Sequence, residues 1–187
     1  MKVALASRPV VSLTLIIALF AAAFFAGYHA RLAYGPWKLM QQTYASWAPA
    51  NRWFHDAGEP DAENWVKIAN PDALVSRATY DLSAGPLLFE GALPEDEYWS
   101  LSFYDGRSVN AGTVSDESID GGRYRVILAA PSAGEALRRR YPGVPVVTSD
   151  TRRGYAVVRL IIDRSRPLAA TAATQADATI TVLTSGN

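Results

Sequence analysis

The sequence has no cysteine and only two histidines among its 187 residues. Without cysteine, disulfide bonds and thiolate chemistry are excluded. His29 lies in an apolar run, so His55 is the one imidazole in the rest of the chain. A Ser-His-Asp triad needs such an imidazole beside a nucleophile. The sequence gives no other sign of a triad or nucleotide site, because it has neither a Gly-x-Ser-x-Gly elbow nor a glycine-rich phosphate loop.

The sequence also lacks an excess of charge, since 18 Lys and Arg residues balance 18 Asp and Glu residues. Nucleic-acid binding needs a basic surface, so we expect no nucleic-acid partner. Carboxylates near His55 hint at a divalent cation, because the two ligand types occur together in metal sites. These carboxylates are Asp56, Glu59, Asp61 and Glu63. Acidic loops are more often simply solvated, and we predict no metal and no cofactor.

A run of 22 uncharged residues, from Pro9 to Ala30, is the longest apolar feature. As a helix rising ~1.5 Å per residue, it reaches about 30 Å, enough to cross a bilayer core. We therefore predict a transmembrane helix over 9–30 that contacts the lipid bilayer, with 1–8 in the cytoplasm. The small excess of positive charge before the run favours this orientation. In a bacterium, the rest of the chain then lies in the periplasm, anchored to the inner membrane.

A cleaved secretory signal is the alternative to an anchor. Signal sequences usually have an apolar core of ~7–15 residues followed by a small-x-small site. Here the core continues from Val10 to Ala26, and the nearest such site, Ala21–Ala23, lies inside it. The sequence favours an uncleaved anchor, and cleavage would leave a soluble periplasmic domain.

Residues 31–69 form a neck whose first half continues an aromatic-rich stretch. The aromatic stretch begins at the end of the uncharged run and comprises Tyr28, Tyr34, Trp37, Tyr44, Trp47, Trp53 and Phe54. Gly35-Pro36 predicts the start of a short helix, since proline suits the first helical turn. This helix either lies along the membrane, where Trp and Tyr are enriched, or covers the following domain.

Residues 70–187 show a β pattern with turn residues at intervals of roughly ten residues, typical of a sandwich or jelly roll. Trp99, Leu101 and Phe103 alternate with serines, which predicts one buried face. The candidate strands are Leu74–Leu82, Pro86–Glu90, Glu97–Tyr104, Arg123–Ala129, Gly143–Thr148, Gly154–Asp163 and Ala178–Thr184. Two short helices are predicted at Ala133–Arg140 and Pro167–Gln175. The predicted fold is mainly β, after a single N-terminal transmembrane helix.

Three segments carry a family resemblance: Asn70–Ser76, Tyr80–Pro86 and Tyr98–Asp105. Their order and spacing resemble the bacterial family catalogued as domain of unknown function 1254, whose pattern is Asn-x-Asp-Thr-Leu-Tyr-Ser, Asp-Leu-Ser-x-Gly-Pro and Tyr-Tyr-Ser-Leu ending in Asp. The resemblance covers about Asn70 to Leu168. It implies a β-sandwich and no established chemistry.

Two departures from the family pattern bear on function. Ala73 and Val75 replace the usual Thr and Tyr, so their polar groups are absent. The chain also ends where long members continue into a second domain, catalogued as domain of unknown function 1214. Short anchored members resembling this chain often occur beside a separate protein of that type. The resemblance thus implies a partner protein of the 1214 type.

Six polar residues are candidates for a ligand pocket: Asp72, Asp81, Asp105, Arg107, Asn110 and Arg159. Paired carboxylates about 5–9 Å apart support glycoside hydrolysis, yet aspartates beside Gly or Pro usually form turns. Arg159 lies mid-strand, and if buried it needs a carboxylate such as Asp81 or Asp105, because an unpaired buried charge is costly. Otherwise it faces solvent or a partner.

The leading hypothesis is a membrane-tethered, non-enzymatic β domain of the cell envelope that assembles with a second protein. The alternative is an envelope enzyme, hydrolase-like, or a small-molecule or carbohydrate binder that uses the sandwich interior. A structural domain without a ligand also stays open.

Overall fold

The computed structural model describes residues 7–55, 70, 72–94, 97–119, 122–165 and 167–184, with side chains from residue 12 onward. The chain divides into two compact units, residues 1–39 and residues 40–187.

The first unit consists of helix α1, which begins at Ser7 and continues into the second unit, ending at Ser46. Its described part contains a window of mean hydropathy 1.9, long and apolar enough to cross a membrane, a property that signal sequences share. The large apolar side chains in this window are exposed, from 59% at Leu13 to 73% at Phe20. The uncharged run Pro9–Ala30 is therefore helical throughout, within a helix of 40 residues that continues past the predicted end.

The predicted new helix at Gly35-Pro36 is wrong, because α1 passes through both residues without ending. Proline removes one backbone donor and crowds the carbonyl four residues earlier. The flanking Leu32, Ala33, Lys38 and Leu39 are good helix formers, and they hold the helix on both sides. The described part of the neck holds no separate short helix, and 56–69 lie outside the described residues.

The second unit is built on two β-sheets. Its strands are β1 Phe54–His55, β2 Ala73–Asp81, β3 Leu87–Ala92, β4 Trp99–Asp105, β5 Asn110–Ser115, β6 Arg123–Ala129, β7 Val146–Thr148, β8 Arg153–Ile161 and β9 Thr179–Val182. One sheet has the order β1-β2-β8-β4-β5 and the other β7-β6-β3-β9. All pairs are antiparallel except β6 with β7. Helices α2 (Pro131–Arg140) and α3 (Leu168–Ala176) interrupt the strands.

The two sheets enclose one apolar core. Phe89 of the four-stranded sheet packs edge-on against Phe103 of the five-stranded sheet, with ring centroids 4.9 Å apart. Trp53 contacts the same Phe89 ring. Alternate residues along each strand point inward, as the period of two requires. The predicted β-sandwich class and both short helices are confirmed, and the jelly-roll variant stays a prediction.

The end of α1 covers the outer face of the five-stranded sheet. Met40 and Trp47 are 2% and 6% exposed. The Trp47 carbonyl accepts a hydrogen bond from the Thr79 hydroxyl, and its ring meets Tyr155 edge-on at 6.0 Å. The neck helix was predicted either to lie along the membrane or to cover the domain. Residues Met40–Trp47 cover the sheet.

Candidate functional site

Two of the predicted site residues, Asp81 and Asp105, lie at the same end of the five-stranded sheet. Asp81 ends β2 and Asp105 ends β4, while β8 begins between them. In the strand register, Asp81 is opposite Arg153 and Asp105 is opposite Gly154. Two strand spacings separate the aspartates, so their Cα atoms are about 10 Å apart.

The Asp81 carboxylate pairs with the arginines that begin β8. Arg153 Nε donates to Asp81 Oδ2 at 2.6 Å, and Arg152 Nε lies 3.7 Å from Oδ1. The backbone N–H and the hydroxyl of Ser83 donate to Oδ1, which caps a 3-10 turn at Leu82–Ala84. Burial raises the pKa of Asp81, but the hydrogen bonds from Ser83 and Arg153 outweigh burial and lower it to about 2.

Asp105 organises the turn that follows β4. Its side chain is 4% exposed and accepts hydrogen bonds from the backbone N–H groups of Arg107 and Val109, at 2.8 and 3.0 Å. Arg107 also binds it through the guanidinium and reaches Asp150 at 3.2 Å. Burial raises the pKa of Asp105, and these hydrogen bonds together lower it. The turn prediction from the Asp-Gly pair is confirmed.

Between these two ion pairs lies a buried chain of hydroxyl groups. The Tyr80 phenol lies 2.7 Å from the Ser149 hydroxyl and 3.0 Å from the Tyr104 carbonyl. Ser149 in turn donates to the Thr151 carbonyl at 2.9 Å. Burial raises the pKa of Tyr80 to about 12, so the phenol is neutral and donates a hydrogen bond near pH 7.

Gly154 makes room for this chain. A Cβ atom at Gly154 would lie 2.1 Å from the Tyr104 carbonyl oxygen and 2.2 Å from the Tyr80 phenol oxygen. Neither distance is compatible with a side chain, and the first contact is with backbone. Glycine at the second position of β8 is therefore a steric requirement of the site.

The other three candidates do not contact these carboxylates, although Asn110, opposite Tyr104, lies at the same end of the sheet as Asp105. Asp72 precedes β2 at the opposite end of the sheet, where Arg164 Nη2 donates to it at 2.7 Å. Asn110 begins the edge strand β5 and donates to Thr113 at 3.1 Å. Arg159 lies mid-strand in β8, turned away from the core. Arg159 forms an ion pair with neither Asp81 nor Asp105, whose carboxylates pair with other arginines. The six candidates therefore do not form one cluster.

The chemistry of this sheet end follows from its pKa values. A general acid needs a raised pKa to hold a proton near neutrality. Both carboxylates here have lowered pKa values and hold arginines, which fits ion pairing between chain segments. Among the described residues, no group of three His, Cys, Asp or Glu side chains could hold a metal ion. His55 Nδ1 lies 2.9 Å from the Ser76 hydroxyl, and the acidic residues after His55 fall outside the described part.

Sequence reasoning missed the hydroxyl chain of Tyr80, Ser149 and Thr151. One signal was available: Tyr80 is on the inward face of β2, and a buried tyrosine usually finds a hydrogen-bond partner. The identity of that partner was not readable, because Ser149 is 69 residues away along the chain.

Comparisons with known proteins show where this architecture recurs. A family model described as "Protein of unknown function (DUF1254)" matches residues 50–182. The VPA0106 protein from Vibrio parahaemolyticus has a similar solved structure, with a TM-score of 0.63 and 18% identity over 80% of this chain and 34% of its own. An uncharacterized protein from Burkholderia cenocepacia gives a TM-score of 0.47 and 15% identity, over 74% of this chain and 38% of its own. The chain thus spans about a third of the length of these solved chains. No curated protein matches the sequence.

Proposed function

Since the chain belongs to the family of unknown function DUF1254, as its three motifs predict, we propose that it is a membrane-tethered β domain of the cell envelope that assembles with a second envelope protein. The family match confirms the resemblance but brings no activity with it. Support for the proposal therefore comes from the residues of the chain itself and from the greater length of a similar solved chain.

The observation that carries the tether is the exposure of the apolar side chains on α1. Leu13, Ile16, Leu19 and Phe20 are each about 60% exposed or more. Burying a side chain of this size stabilises a protein by about 1.5–3 kcal/mol relative to exposure in water. A row of such side chains on one helix is favourable in lipid and unfavourable in water.

Charge on either side of the helix supports the proposed orientation. Lys2 and Arg8 precede the uncharged run, and Arg31 and Lys38 follow it. The amino terminus adds a further positive charge before the run, and positive charge favours the cytoplasmic side. The β domain is then periplasmic and the helix lies in the inner membrane.

Alkaline extraction of membranes tests the tether. We expect the intact chain, verified by mass to include Met1, to stay in the membrane pellet. Leu19→Arg places a charge at the centre of the span at a cost of about 3 kcal/mol, and should shift protein to the soluble fraction. Leu39→Arg, outside 9–30, is the matched control and should stay in the pellet. Recovery of the wild-type chain in the soluble fraction, or without its first 30 residues, contradicts the tether.

Two observations support a partner. The similar Vibrio chain is matched over 34% of its length, so in that protein a related fold is joined to further chain. In addition, β9 is the edge strand of the four-stranded sheet and pairs on one side with β3. Its four residues, Thr179–Val182, include no charge or proline, the features by which exposed edges usually avoid pairing. We propose that the partner, of the domain-1214 type, adds a strand here.

Co-expression with an envelope protein of that type tests the assembly. Leu183 N–H donates to the carbonyl of Pro86, the residue before β3, so by alternation the N–H groups of Ile180 and Val182 face the free edge. Thr181→Lys adds charge to this edge without removing an inward side chain, and should reduce co-purification of the partner at least tenfold. Ala173→Lys adds the same charge on the exposed surface of α3 and should have no effect. Recovery of the monomer alone from solubilised membranes contradicts the proposal.

The alternative, an enzyme or a small-molecule binder that uses the sandwich interior, stays a prediction with less support. Large side chains fill the space between the two sheets, among them Trp53, Phe89, Trp99, Phe103 and Tyr124. The candidate carboxylates lie at the ends of the sheet instead.

A further inference from the structure

The outer face of the five-stranded sheet carries three rows of side chains that cross β2, β8, β4 and β5, and the end of α1 covers part of the third row at Thr79 and Tyr155. The neighbouring residues Ala78, Leu101, Ala156 and Val158 are in the core, so the row residues point away from it. In strand order, the rows are Val75, Arg159, Ser100 and Ser115; Arg77, Val157, Ser102 and Thr113; and Thr79, Tyr155, Tyr104 and Asn110.

The composition of these rows is one-sided. They contain two arginines, Arg77 and Arg159, and no carboxylate, while hydroxyl groups occupy most of the remaining positions. Hydroxyl groups and guanidinium groups both donate hydrogen bonds. In the second row, Arg77 lies over the Trp47 ring, 5.4 Å from its centroid. The first row combines one arginine, Arg159, with the hydroxyl groups of Ser100 and Ser115.

Arg159 differs from the arginines of the β domain that pair with carboxylates. The guanidinium groups of Arg107, Arg123, Arg125 and Arg153 each bind a carboxylate. Arg159 is half-buried, yet it forms no hydrogen bond or ion pair with any residue in the described part of the chain. Removing a cation from water without a partner is unfavourable, so a half-buried, unpaired guanidinium is a ready site for an anion.

Ser100 provides a second free donor directly opposite Arg159. The two residues are register partners on β4 and β8, where facing Cβ atoms lie about 5 Å apart. Ser100 is 3% exposed, and its hydroxyl group has no hydrogen-bond partner among the described residues. By contrast, Ser102, in the next row, accepts a hydrogen bond from the Thr113 hydroxyl at 3.1 Å. On β5, Ser115 continues the row that contains Arg159 and Ser100.

We propose that Arg159 and Ser100 bind an oxyanion, a phosphate or carboxylate group, on the outer face of the five-stranded sheet. The planar guanidinium matches two oxygens of such a group with two parallel hydrogen bonds, and the Ser100 hydroxyl supplies a third donor. The site is independent of the proposed tether and of the edge strand β9. Its ligand neutralises a charge that no residue in the described part of the chain pairs with.

Thermal unfolding of the full chain in a neutral detergent tests this site. Inorganic phosphate and acetate are titrated separately, with chloride holding the ionic strength constant. A ligand that binds the folded state raises the melting temperature in proportion to RT ln(1 + [L]/Kd). We expect at least one of the two anions to stabilise the wild-type chain, and which one does so identifies the oxyanion as phosphate or carboxylate.

Three variants and one control localise the effect. Arg159→Gln should abolish the stabilisation, while Arg52→Gln, the same change at an exposed arginine before β1, should preserve it. Arg159→Lys keeps the charge but loses the two-pronged geometry, and Ser100→Ala loses one donor. Each should weaken binding about tenfold, the ratio expected for one hydrogen bond to a charged group. These two variants also serve if Arg159→Gln does not fold.

Two results overturn the proposal. One is a wild-type chain that neither anion stabilises beyond chloride. The other is an equal dissociation constant in the wild-type chain and in both Arg159→Lys and Ser100→Ala.

Discussion

The phenol oxygen of Tyr80 lies 2.7 Å from the hydroxyl oxygen of Ser149 at one end of the sandwich. Both residues are buried, and the bond ties β2 to the segment between β7 and β8. Its surroundings are the Asp81 and Asp105 ion pairs, which attach the same segment to the ends of β2 and β4. This end of the five-stranded sheet is therefore closed by polar contacts, while the interior is apolar.

A double-mutant cycle of Tyr80→Phe and Ser149→Ala measures this contact. A hydrogen bond of this kind contributes about 1 kcal/mol to the free energy of unfolding, and we expect a coupling energy of that size. The hydroxyl of Ser149 still donates to the Thr151 carbonyl in Tyr80→Phe, so that variant should fold. Additive effects of the two substitutions would show that the contact contributes nothing.

Gly154→Ala should be strongly destabilising, because its Cβ would meet a backbone carbonyl at 2.1 Å. Overpacking of a buried site usually costs about 1–3 kcal/mol, and we expect the upper end of this range or more from chemical denaturation. Gly122→Ala is the control, since no atom lies within 4 Å of its Cβ position. Equal stability of the two variants would argue against the close approach of Tyr80 to β8.

The lowered pKa of Asp81 predicts a loss of stability in acid. Its pKa is about 2 in the folded chain against 3.8 for a free side chain. The stabilisation is complete above the unfolded value and disappears as pH falls through the folded value. The free energy of unfolding should therefore fall between about pH 4 and pH 2, and Asp81→Asn should show a smaller fall. The same pH dependence in the wild-type chain and in Asp81→Asn would contradict the ion pairs of Asp81.

Trp47→Ala should destabilise the β domain, whereas Trp37→Ala should not. Trp47 is 6% exposed and contacts Tyr155, while Trp37 is 56% exposed. Truncation of a buried tryptophan costs about 3–5 kcal/mol, and an exposed one costs little. Denaturant unfolding of both variants in detergent gives the comparison. Equal stability of the two variants would show that the end of α1 does not pack on the sheet.

Hydrophobic patterning predicted much of this fold, because its strongest signals are local. The alternation at Trp99–Phe103 and the apolar run within β8 both correspond to central strands. Strand β5 was missed because it is an edge strand with Asn, Gly, Thr and Ser, and Val114 is its one buried residue. The helix break at Pro36 was predicted from a local rule that the flanking helix formers override.

The candidate site was less predictable, since it depends on contacts between distant segments. The sequence identified Asp81 and Asp105 but not their arginine partners. Asp81 pairs with Arg153, 72 residues away, because β2 and β8 are neighbours in the sheet. That neighbourhood depends on strand order, which local patterns do not encode. The sequence predicted a mid-strand position for Arg159 but left open whether its side chain is buried with a carboxylate or faces outward.

Cysteine labelling tests the central claim, a β domain held outside the inner membrane by an uncleaved α1. Because the chain has no cysteine, the single substitution Ala173→Cys, at an exposed position of α3, reports only its own location. A membrane-impermeant maleimide is added to spheroplasts, and labelled protein is followed through alkaline extraction. We predict labelling before lysis and recovery of the labelled, full-length chain in the membrane pellet. Labelling that requires lysis, or a labelled chain released to the supernatant without its first 30 residues, would contradict the account.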